Sequence, residues 1–140
     1  MDRQTEIMSA HILGDPETQK LGHPIEYFVG RDCWIDCRVK DMLDIHPEAN
    51  FGWNVTIISE THDVMPGMFG RTFGRPCRIG PHAFIAAFAL LYNCTIGEGA
   101  VVACGSVVRS CDVEPWTMVA GNPAVPIKRF NHATKNWEAI

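Results

Sequence analysis

An aliphatic residue returns every six positions through much of this 140-residue chain. From Ile79 the sequence reads IGPHAF and IAAFAL, and after a one-residue slip it reads IGEGAV and VACGSV. The same spacing recurs upstream, so that the residues opening each block are Ile45, Phe51, Ile57, Ile79, Ile85, Ile96 and Val102. A period of six fits neither the 3.6 of an α-helix nor the 2 of a simple strand. The chain therefore has to fold into something other than an ordinary bundle or sheet.

The period of six predicts a solenoid of short strands. One aliphatic side chain in each block would point inward and pack on its counterpart about 18 residues further on, in the next coil. The small or compact residues that fit the turns beside them are Ala49, Val55, Ala83, Ala89, Ala100 and Ser106. A β-sandwich is the alternative, but its turns are expected every 8–12 residues. We therefore predict an all-β chain with a parallel β-helix over residues 29–118.

Three segments fall outside the repeat. Residues 60–76, ETHDVMPGMFGRTFGRP, contain no hexad and predict a protruding loop, which in a compact domain usually carries function. Residues 1–28 show no sustained period, and we expect an arm or a short helix there. Residues 119–140 are predicted to close the domain with a short helix, with Phe130 and Trp137 packed back on the core.

Composition narrows the class of protein. A formal charge of −4 argues against nucleic-acid binding, which needs a basic face. No apolar run approaches the ~20 residues of a membrane span, and the first residues lack the basic-then-apolar order of a signal peptide. The chain is therefore expected in the cytoplasm. Its six cysteines show no CxxC pair, and we expect free thiols packed as small apolar groups.

Two motifs beside the hexads carry a resemblance to a known family. The segment VAGNPAVPIKRF, residues 119–130, and the segment NVTIISETHDV, residues 54–64, lie in the expected order around the repeats. Together they resemble the hexapeptide-repeat acyltransferases, and most of all bacterial sugar and polysaccharide O-acetyltransferases, with galactoside, maltose and xenobiotic acetyltransferases as relatives. The resemblance implies a left-handed parallel β-helix, a homotrimer, and acetyl-CoA bound in the cleft between neighbouring subunits.

The resemblance also implies a reaction and a base. An acetyl group would pass from acetyl-CoA directly to a hydroxyl of a small sugar or sugar-containing acceptor. His62 begins the 60–76 segment and occupies the position of the family's catalytic histidine. A histidine near its ordinary pKa of ~6.5 is suited to take a hydroxyl proton at neutral pH. N-acetylation of an amino sugar or nucleotide-sugar is the alternative within the family.

The same family resemblance assigns acceptor-binding roles to residues of this chain by their positions in the sequence. Asp36 would accept a hydrogen bond from the acceptor hydroxyl; the alternative is a solvated carboxylate on the edge of a coil. Trp34 and Trp53 would either stack on a sugar face or pack between subunits. Asp63 directly follows the proposed base and is assigned to the acceptor site as well.

Cofactor-binding residues follow from the same resemblance. Backbone groups along the edge of the coil would contact the cofactor where small side chains permit a close approach. By position these residues are Ala86, Ala87, Cys104 and Gly105. Lys128 and Arg129 follow the GNPA motif and match basic residues that meet the phosphates of CoA.

Two functions of other classes stay open at the level of sequence. A γ-class carbonic anhydrase shares the solenoid and holds zinc with three histidines, for which His46, His62 and His82 are the candidates. His46 and His82, however, follow hexad openers, where side chains point outward, and we expect no metal. A non-catalytic scaffold or binding protein would keep the hexads without needing His62, the small residues at 86–87 or the basic pair at 128–129.

Overall fold

The computed structural model describes residues 11–21 and 32–140, without the side chains of residues 63–65, 68–69 and 71–73. The chain winds through three parallel sheets, called A, B and C in the order in which each coil visits them. Sheet A contains β1 (His11–Gly14), β3 (Trp34–Cys37), β6 (Thr56–Ile58), β11 (Leu90–Tyr92) and β14 (Val107–Arg109). Sheet B contains β2 (Lys20–Leu21), β4 (Leu43–Ile45), β9 (Cys77–Ile79), β12 (Thr95–Ile96) and β15 (Asp112–Val113).

Sheet C ends in an antiparallel extension. Its parallel strands are β5 (Asn50–Phe51), β10 (Phe84–Ile85), β13 (Val101–Val102) and β16 (Thr117–Gly121), to which β17 (Ala124–Asn131) and β18 (Asn136–Ala139) add antiparallel. A separate two-stranded antiparallel sheet is formed by β7 (Thr61–Met65) and β8 (Met68–Phe73). A three-residue 3₁₀ helix, Pro16–Thr18, lies between β1 and β2. The predicted parallel β-helix is confirmed.

The interior consists of three aliphatic columns, one behind each sheet. Behind sheet A, paired positions stack Ile12, Ile35, Ile57, Leu91 and Val108. Behind sheet B they stack Leu21, Ile45, Ile79, Ile96 and Val113, and behind sheet C Phe51, Ile85, Val102 and Val119. Every predicted block opener lies in one of these columns, and the small or compact turn residues are buried beside them. Burial of each such side chain contributes about 1.5–3 kcal/mol.

The coil is one residue shorter than predicted. Leu90 pairs with Val107, and Thr95 with Asp112, which are offsets of 17 rather than 18. The one-residue slip in the sequence recurs in the coils that follow residue 77, because the side from sheet A to sheet B uses five residues there rather than six. Thr56, by contrast, pairs with Leu90 at an offset of 34. The segment 60–76 between them is as long as one coil, but it protrudes from the β-helix instead of forming a coil.

The inserted segment is a hairpin rather than an irregular loop. Thr61 faces Phe73 and Met65 faces Met68, so the two strands pair along their length. Gly67 lies in the intervening turn with a φ of +81°, which a glycine adopts without strain. The hairpin leaves the helix at the corner between sheets A and B and returns there.

The first coil begins earlier than the sequence indicated. β1 and β2 already pair with β3 and β4, although residues 1–28 were expected to form an arm or a short helix. Offsets between these first coils are 23 and 24 residues, so the repeat is masked by longer turns. Residues 1–10 and 22–28 of that prediction lie outside the described residues.

The predicted C-terminal helix is wrong. Phe130 and Trp137 are opposite each other in the antiparallel pair of β17 and β18, with ring centroids 5.3 Å apart. The turn between the strands is set by Asn131, whose Oδ1 accepts hydrogen bonds from the backbone N–H groups of Ala133 and Thr134 at 2.9 and 3.3 Å. Such an Asx turn competes with helix formation, and cross-strand aromatic pairing stabilises the hairpin instead.

The six cysteines are all free thiols. Cys104 and Cys111 are exposed, whereas the other four are buried, as expected for small apolar side chains. No helix in the described part of the chain is long and apolar enough to cross a membrane.

Candidate functional site

The predicted site residues fall into two groups at opposite edges of sheet A. Asp36 lies next to the corner between sheets A and B, from which the hairpin with His62 leaves, whereas Trp34 begins β3 at the other edge of sheet A, where its N–H donates to the carbonyl of Val55 at 2.9 Å. Ala87 and Cys104 lie at the other corner, between sheets C and A. Position 87 and the hairpin-side corner at position 93 are six positions apart in the chain, with the whole strand β11 between them. One subunit therefore holds the two groups apart.

Asp36 is buried and fully engaged by its own chain. Its carboxylate accepts hydrogen bonds from Nε and Nη2 of Arg38, both at 2.8 Å, in a two-pronged ion pair. It also accepts bonds from the backbone N–H of Arg38 at 3.2 Å, and from the N–H and hydroxyl of Ser59 at 3.2 and 2.8 Å. Only 3% of the residue is exposed, so the alternative of a solvated carboxylate is wrong.

These contacts favour the ionised form of Asp36. Hydrogen bonding from Arg38 holds the pKa of the Asp36 carboxyl well below its usual range, and the bonds from Ser59 act in the same direction against the effect of burial. The same pair raises the pKa of Arg38. The residue thus anchors a fixed guanidinium beside the base of the hairpin.

A groove of about 440 Å³ runs along this part of sheet A, lined by Trp34, Asp36 and Arg38 together with Leu13, Thr56, Ile57 and Ile58. The indole of Trp34 stacks on the imidazole of His11, with centroids 4.1 Å apart, yet 46% of Trp34 remains exposed. The groove combines an aromatic face, aliphatic walls and a guanidinium, a lining typical of small-molecule sites.

His62 lies in the first strand of the hairpin, opposite Thr72, and its side chain is exposed. The pairing of the strands shifts between His62 and Val64, which places Asp63 in the irregularity of the strand. The side chain of Asp63 is outside the described set. The exposed imidazole follows Ser59 by three positions, so it extends from the corner that also holds the Asp36 carboxylate.

Small residues form a column at the corner between sheets C and A. Ala87 receives a hydrogen bond at its carbonyl from the N–H of Gly105 at 2.9 Å, so successive coils are in direct contact. Cys104 is exposed, and Gly105 has a φ of +69° with open space around it. Ala86 is buried below this surface. This edge offers backbone groups with little side-chain cover, as a long flexible ligand requires.

Trp53 belongs to the same corner rather than to the groove. Its carbonyl accepts a hydrogen bond from the N–H of Phe88 at 3.0 Å, and the two side chains are 54% and 67% exposed. Trp34 begins β3 at this same corner, since its N–H donates to the carbonyl of Val55, two positions after Trp53.

Lys128 and Arg129 are exposed neighbours on β17. Adjacent residues of a strand point to opposite faces, so the two cations cannot both meet one phosphate group from the same side. Lys128 pairs with Met118 of β16, and Arg129 pairs with Thr117, so both lie on the strand added to sheet C, at the end of that sheet next to the corner between sheets B and C.

The three histidines of the metal-enzyme alternative do not come together within one subunit. His82 lies 3.3 Å from the Glu48 carboxylate, and Nδ1 of His46 accepts the N–H of Glu48 at 3.1 Å, both near the corner between sheets B and C. His62 extends from a different corner. Within residues 11–21 and 32–140, no three His, Cys, Asp or Glu side chains are grouped as a metal site requires.

Arg38 and Ser59 were missed at the level of sequence. The i, i+2 spacing of an aspartate and an arginine was the available signal for Arg38, because such residues lie on one side of a strand. Ser59 approaches Asp36 only through the stacking of coils, which a single sequence does not display.

Comparison with known proteins gives relatives of one kind. No protein-family model matches the chain. A protein of Schizosaccharomyces pombe named as an acetyltransferase is 31% identical over 111 residues, which cover 76% of this chain and 52% of that protein. Serine acetyltransferase 4 of Arabidopsis thaliana is 39% identical over 111 residues, covering 64% of this chain and 31% of that protein. The chain thus spans about half or less of the length of these relatives.

Solved structures agree in fold. A maltose O-acetyltransferase from Clostridium difficile 630 superposes with a TM-score of 0.67 at 25% identity, covering 89% of this chain and 60% of that one. A galactoside acetyltransferase solved in complex with coenzyme A superposes with a TM-score of 0.65 at 21% identity, covering 94% of this chain and 60% of that one.

Proposed function

We propose that this chain, whose homologues and structural neighbours are hexapeptide-repeat acetyltransferases, moves an acetyl group from acetyl-CoA to a hydroxyl of a sugar or sugar-containing acceptor. His62 is the general base. The observation that carries the proposal is the arrangement on sheet A, with an acceptor-sized groove that runs across the sheet toward the corner from which the His62 hairpin leaves, and an open edge of small residues at the other corner.

The reaction requires the protein to hold the two substrates in position and to supply one general base. The acceptor oxygen attacks the thioester carbonyl carbon while the imidazole of His62 takes its proton, and the tetrahedral intermediate expels the CoA thiolate. The imidazolium of His62 then donates that proton to the thiolate, which leaves as the CoA thiol. A positioned base contributes about 10²–10⁴-fold, and holding both substrates in attack geometry contributes further.

The active site forms between subunits of a homotrimer in this proposal. Support comes from the separation of the two groups along sheet A, since a neighbouring copy would bring its small-residue edge to the His62 corner. The exposed aromatics Trp53 and Phe88 at that edge have the character of interface residues. Acetyl-CoA would follow the column of Ala86, Ala87 and Gly105 and meet a phosphate contact from Lys128 or Arg129.

Thiol release from acetyl-CoA tests the reaction. We expect acceptor-dependent release with a panel of neutral sugars, amino sugars, nucleotide-sugars and L-serine, the last included because serine acetyltransferases are among the relatives. His62→Ala should lower kcat roughly 10²-fold or more, since only the proton transfer is lost. His82→Ala is the matched control, an exposed histidine at another corner. Equal rates in wild type and His62→Ala would refute the assignment of the base.

Mixing two inactive variants tests the shared site. His62→Ala removes the base, and Ala87→Trp blocks the small-residue edge. In a trimer with sites between subunits, co-expressed variants form some sites that contain neither change, so activity should return above that of either variant alone. Activity no higher than the sum of the two would place the whole site within one subunit.

Acceptors with an amine are the second outcome of the same panel. Release with amino sugars or amino-nucleotide-sugars alone would assign N-acetylation to this site. The cytoplasm, where acetyl-CoA would be available as donor, is the proposed location of the reaction.

A further inference from the structure

Asp36 has no remaining capacity to bind a ligand, although its position faces the groove. Its two oxygens already accept five hydrogen bonds, from three N–H groups of Arg38 and from the N–H and hydroxyl of Ser59. A carboxylate offers about four lone-pair positions, so a sixth donor from an acceptor molecule would displace one of these partners. The residue that faces the groove with free hydrogen-bonding groups must therefore be another one.

We propose that Arg38, fixed by Asp36, is the group that binds the acceptor, and that the acceptor is uncharged and rich in hydroxyls. The inference rests on the transferase function proposed above and names its substrate class. A guanidinium has five N–H donors, of which two go to Asp36. The remaining three, two on Nη1 and one on Nη2, have no partner among the described residues, and 55% of the side chain is exposed.

Fixation by Asp36 makes Arg38 a specific donor rather than a mobile surface charge. A free arginine loses roughly 2 kcal/mol of rotamer entropy when a ligand orders it. In this protein the two-pronged pair has already fixed the plane of the guanidinium. The hydroxyl or ring oxygens of a ligand can thus accept its outward N–H groups at a lower entropic cost.

The net charge of the residues around the groove disfavours an anionic acceptor. Asp36 and Arg38 neutralise each other, and Glu60 lies close enough for its charge to raise the pKa of Arg38. The three groups together carry one negative charge, which repels a carboxylate or phosphate ligand. Trp34 and Leu13 supply the apolar surfaces on which the C–H face of a sugar packs.

Direct binding and kinetics together test the inference. Saturation-transfer NMR would measure binding of glucose, galactose and maltose, with glucuronate and glucose 6-phosphate as anionic counterparts, to wild type, Arg38→Gln and Arg38→Lys. We expect Arg38→Gln to weaken neutral-sugar binding, and to raise the acceptor KM, roughly 10-fold to 100-fold, since hydrogen bonds to a charged group are lost. The KM for acetyl-CoA should stay within about twofold.

Controls separate binding from folding. Arg78→Gln changes an arginine of similar exposure, 59% against 55%, on sheet B and should leave acceptor binding unchanged. Because Arg38→Gln leaves the Asp36 charge poorly compensated, the double variant Asp36→Asn with Arg38→Gln serves when the single one is unstable. Arg38→Lys keeps the positive charge but lacks the planar set of N–H donors of a guanidinium. Its acceptor KM should therefore lie between those of wild type and Arg38→Gln.

Each outcome has a definite meaning. Unchanged sugar binding and acceptor KM in Arg38→Gln would overturn the inference, as would tighter binding of the anionic sugars than of the neutral ones. Failure of every sugar to bind wild type would overturn it too. Sugar binding that depends on Arg38 in a protein without any thiol release would refute the transferase function and leave the binding site standing.

Discussion

Replacing Asp36 with asparagine would break the ion pair that organises the groove while leaving the shape of the side chain almost unchanged. The carboxylate accepts five hydrogen bonds, and one oxygen becomes an NH₂ group in the variant. That NH₂ group would face donors of Arg38 or Ser59 and cannot accept from them. We expect loss of the charge pair together with at least one buried donor left without an acceptor.

The expected loss of stability is smaller than for a fully buried ion pair, because Asp36 is buried and Arg38 is not. Breaking a fully buried ion pair costs about 3–5 kcal/mol. The Asp36 side chain is 4% exposed but that of Arg38 is 55% exposed, so water recovers part of the loss on the guanidinium side. We therefore expect a loss of about 2–3 kcal/mol in the free energy of unfolding. For a chain of this size, that lowers Tm by roughly 6–12 °C in calorimetry at fixed protein concentration.

The dependence on pH has a definite sign. The pKa of Asp36 is lowered in the folded state, so its contribution to stability is fully present above the unfolded pKa of about 3.9 and is lost as pH falls toward the folded pKa. The Tm difference between wild type and Asp36→Asn should stay constant between pH 8 and 5. By pH 3 it should shrink by the equivalent of about 1 kcal/mol.

Asp44→Asn is the matched control for this series. Asp44 lies on the outer surface of sheet B, 48% exposed, with its nearest arginine nitrogen 3.9 Å away on Arg78. Such a pair contributes roughly 0–1 kcal/mol, so the change should lower Tm by only a few degrees. A loss at Asp36 no larger than at Asp44, or a difference that does not change down to pH 3, would refute the role assigned to the buried pair.

Three further predictions concern the core and the proposed path of acetyl-CoA. Leu91→Ala opens a cavity in the column behind sheet A and should lower the free energy of unfolding by about 3–5 kcal/mol in denaturant titration; a loss below 1 kcal/mol would contradict the stacking. Cys104 and Cys111 should both react with a thiol reagent in the folded protein, and acetyl-CoA should protect Cys104 alone, with equal protection contradicting the cofactor path. Since Lys128 and Arg129 point to opposite faces, only one of the two alanine variants should raise the KM for acetyl-CoA strongly; equal effects would contradict a single phosphate contact.

The solenoid could be predicted because its period is written into the sequence. Ile79, Ile85 and Ile96 recur at spacings that serve no other regular structure, and the same residues form the columns behind the sheets. The position of the insertion was equally visible, since the hexads stop at residue 59 and resume at residue 77. Its hairpin form was not visible, because residues 60–76 lack the clean alternation that identifies paired strands.

Both ends of the chain were harder to predict for a physical reason. In the first coils the turns vary in length, so Ile12 and Leu21 occupy interior columns without sharing the spacing of later coils. At the other end, an alternating strand and a short helix differ little in apolar content over so few residues. The side-chain hydrogen bonds of Asn131 favour the strand pair by forming the turn between β17 and β18. A hydrophobic period does not reveal such a local interaction.

The site shows what stacking adds to a one-dimensional repeat. Asp36 and Ser59 belong to different coils and are 23 positions apart, yet the hydroxyl and the carboxylate meet at 2.8 Å because the coils are laid one on another. The sequence assigned the oxygens of Asp36 to a ligand, whereas the donors that occupy them come from a turn and from the next coil. In this chain the carboxylate sets the orientation of Arg38, and on our proposal the guanidinium meets the acceptor.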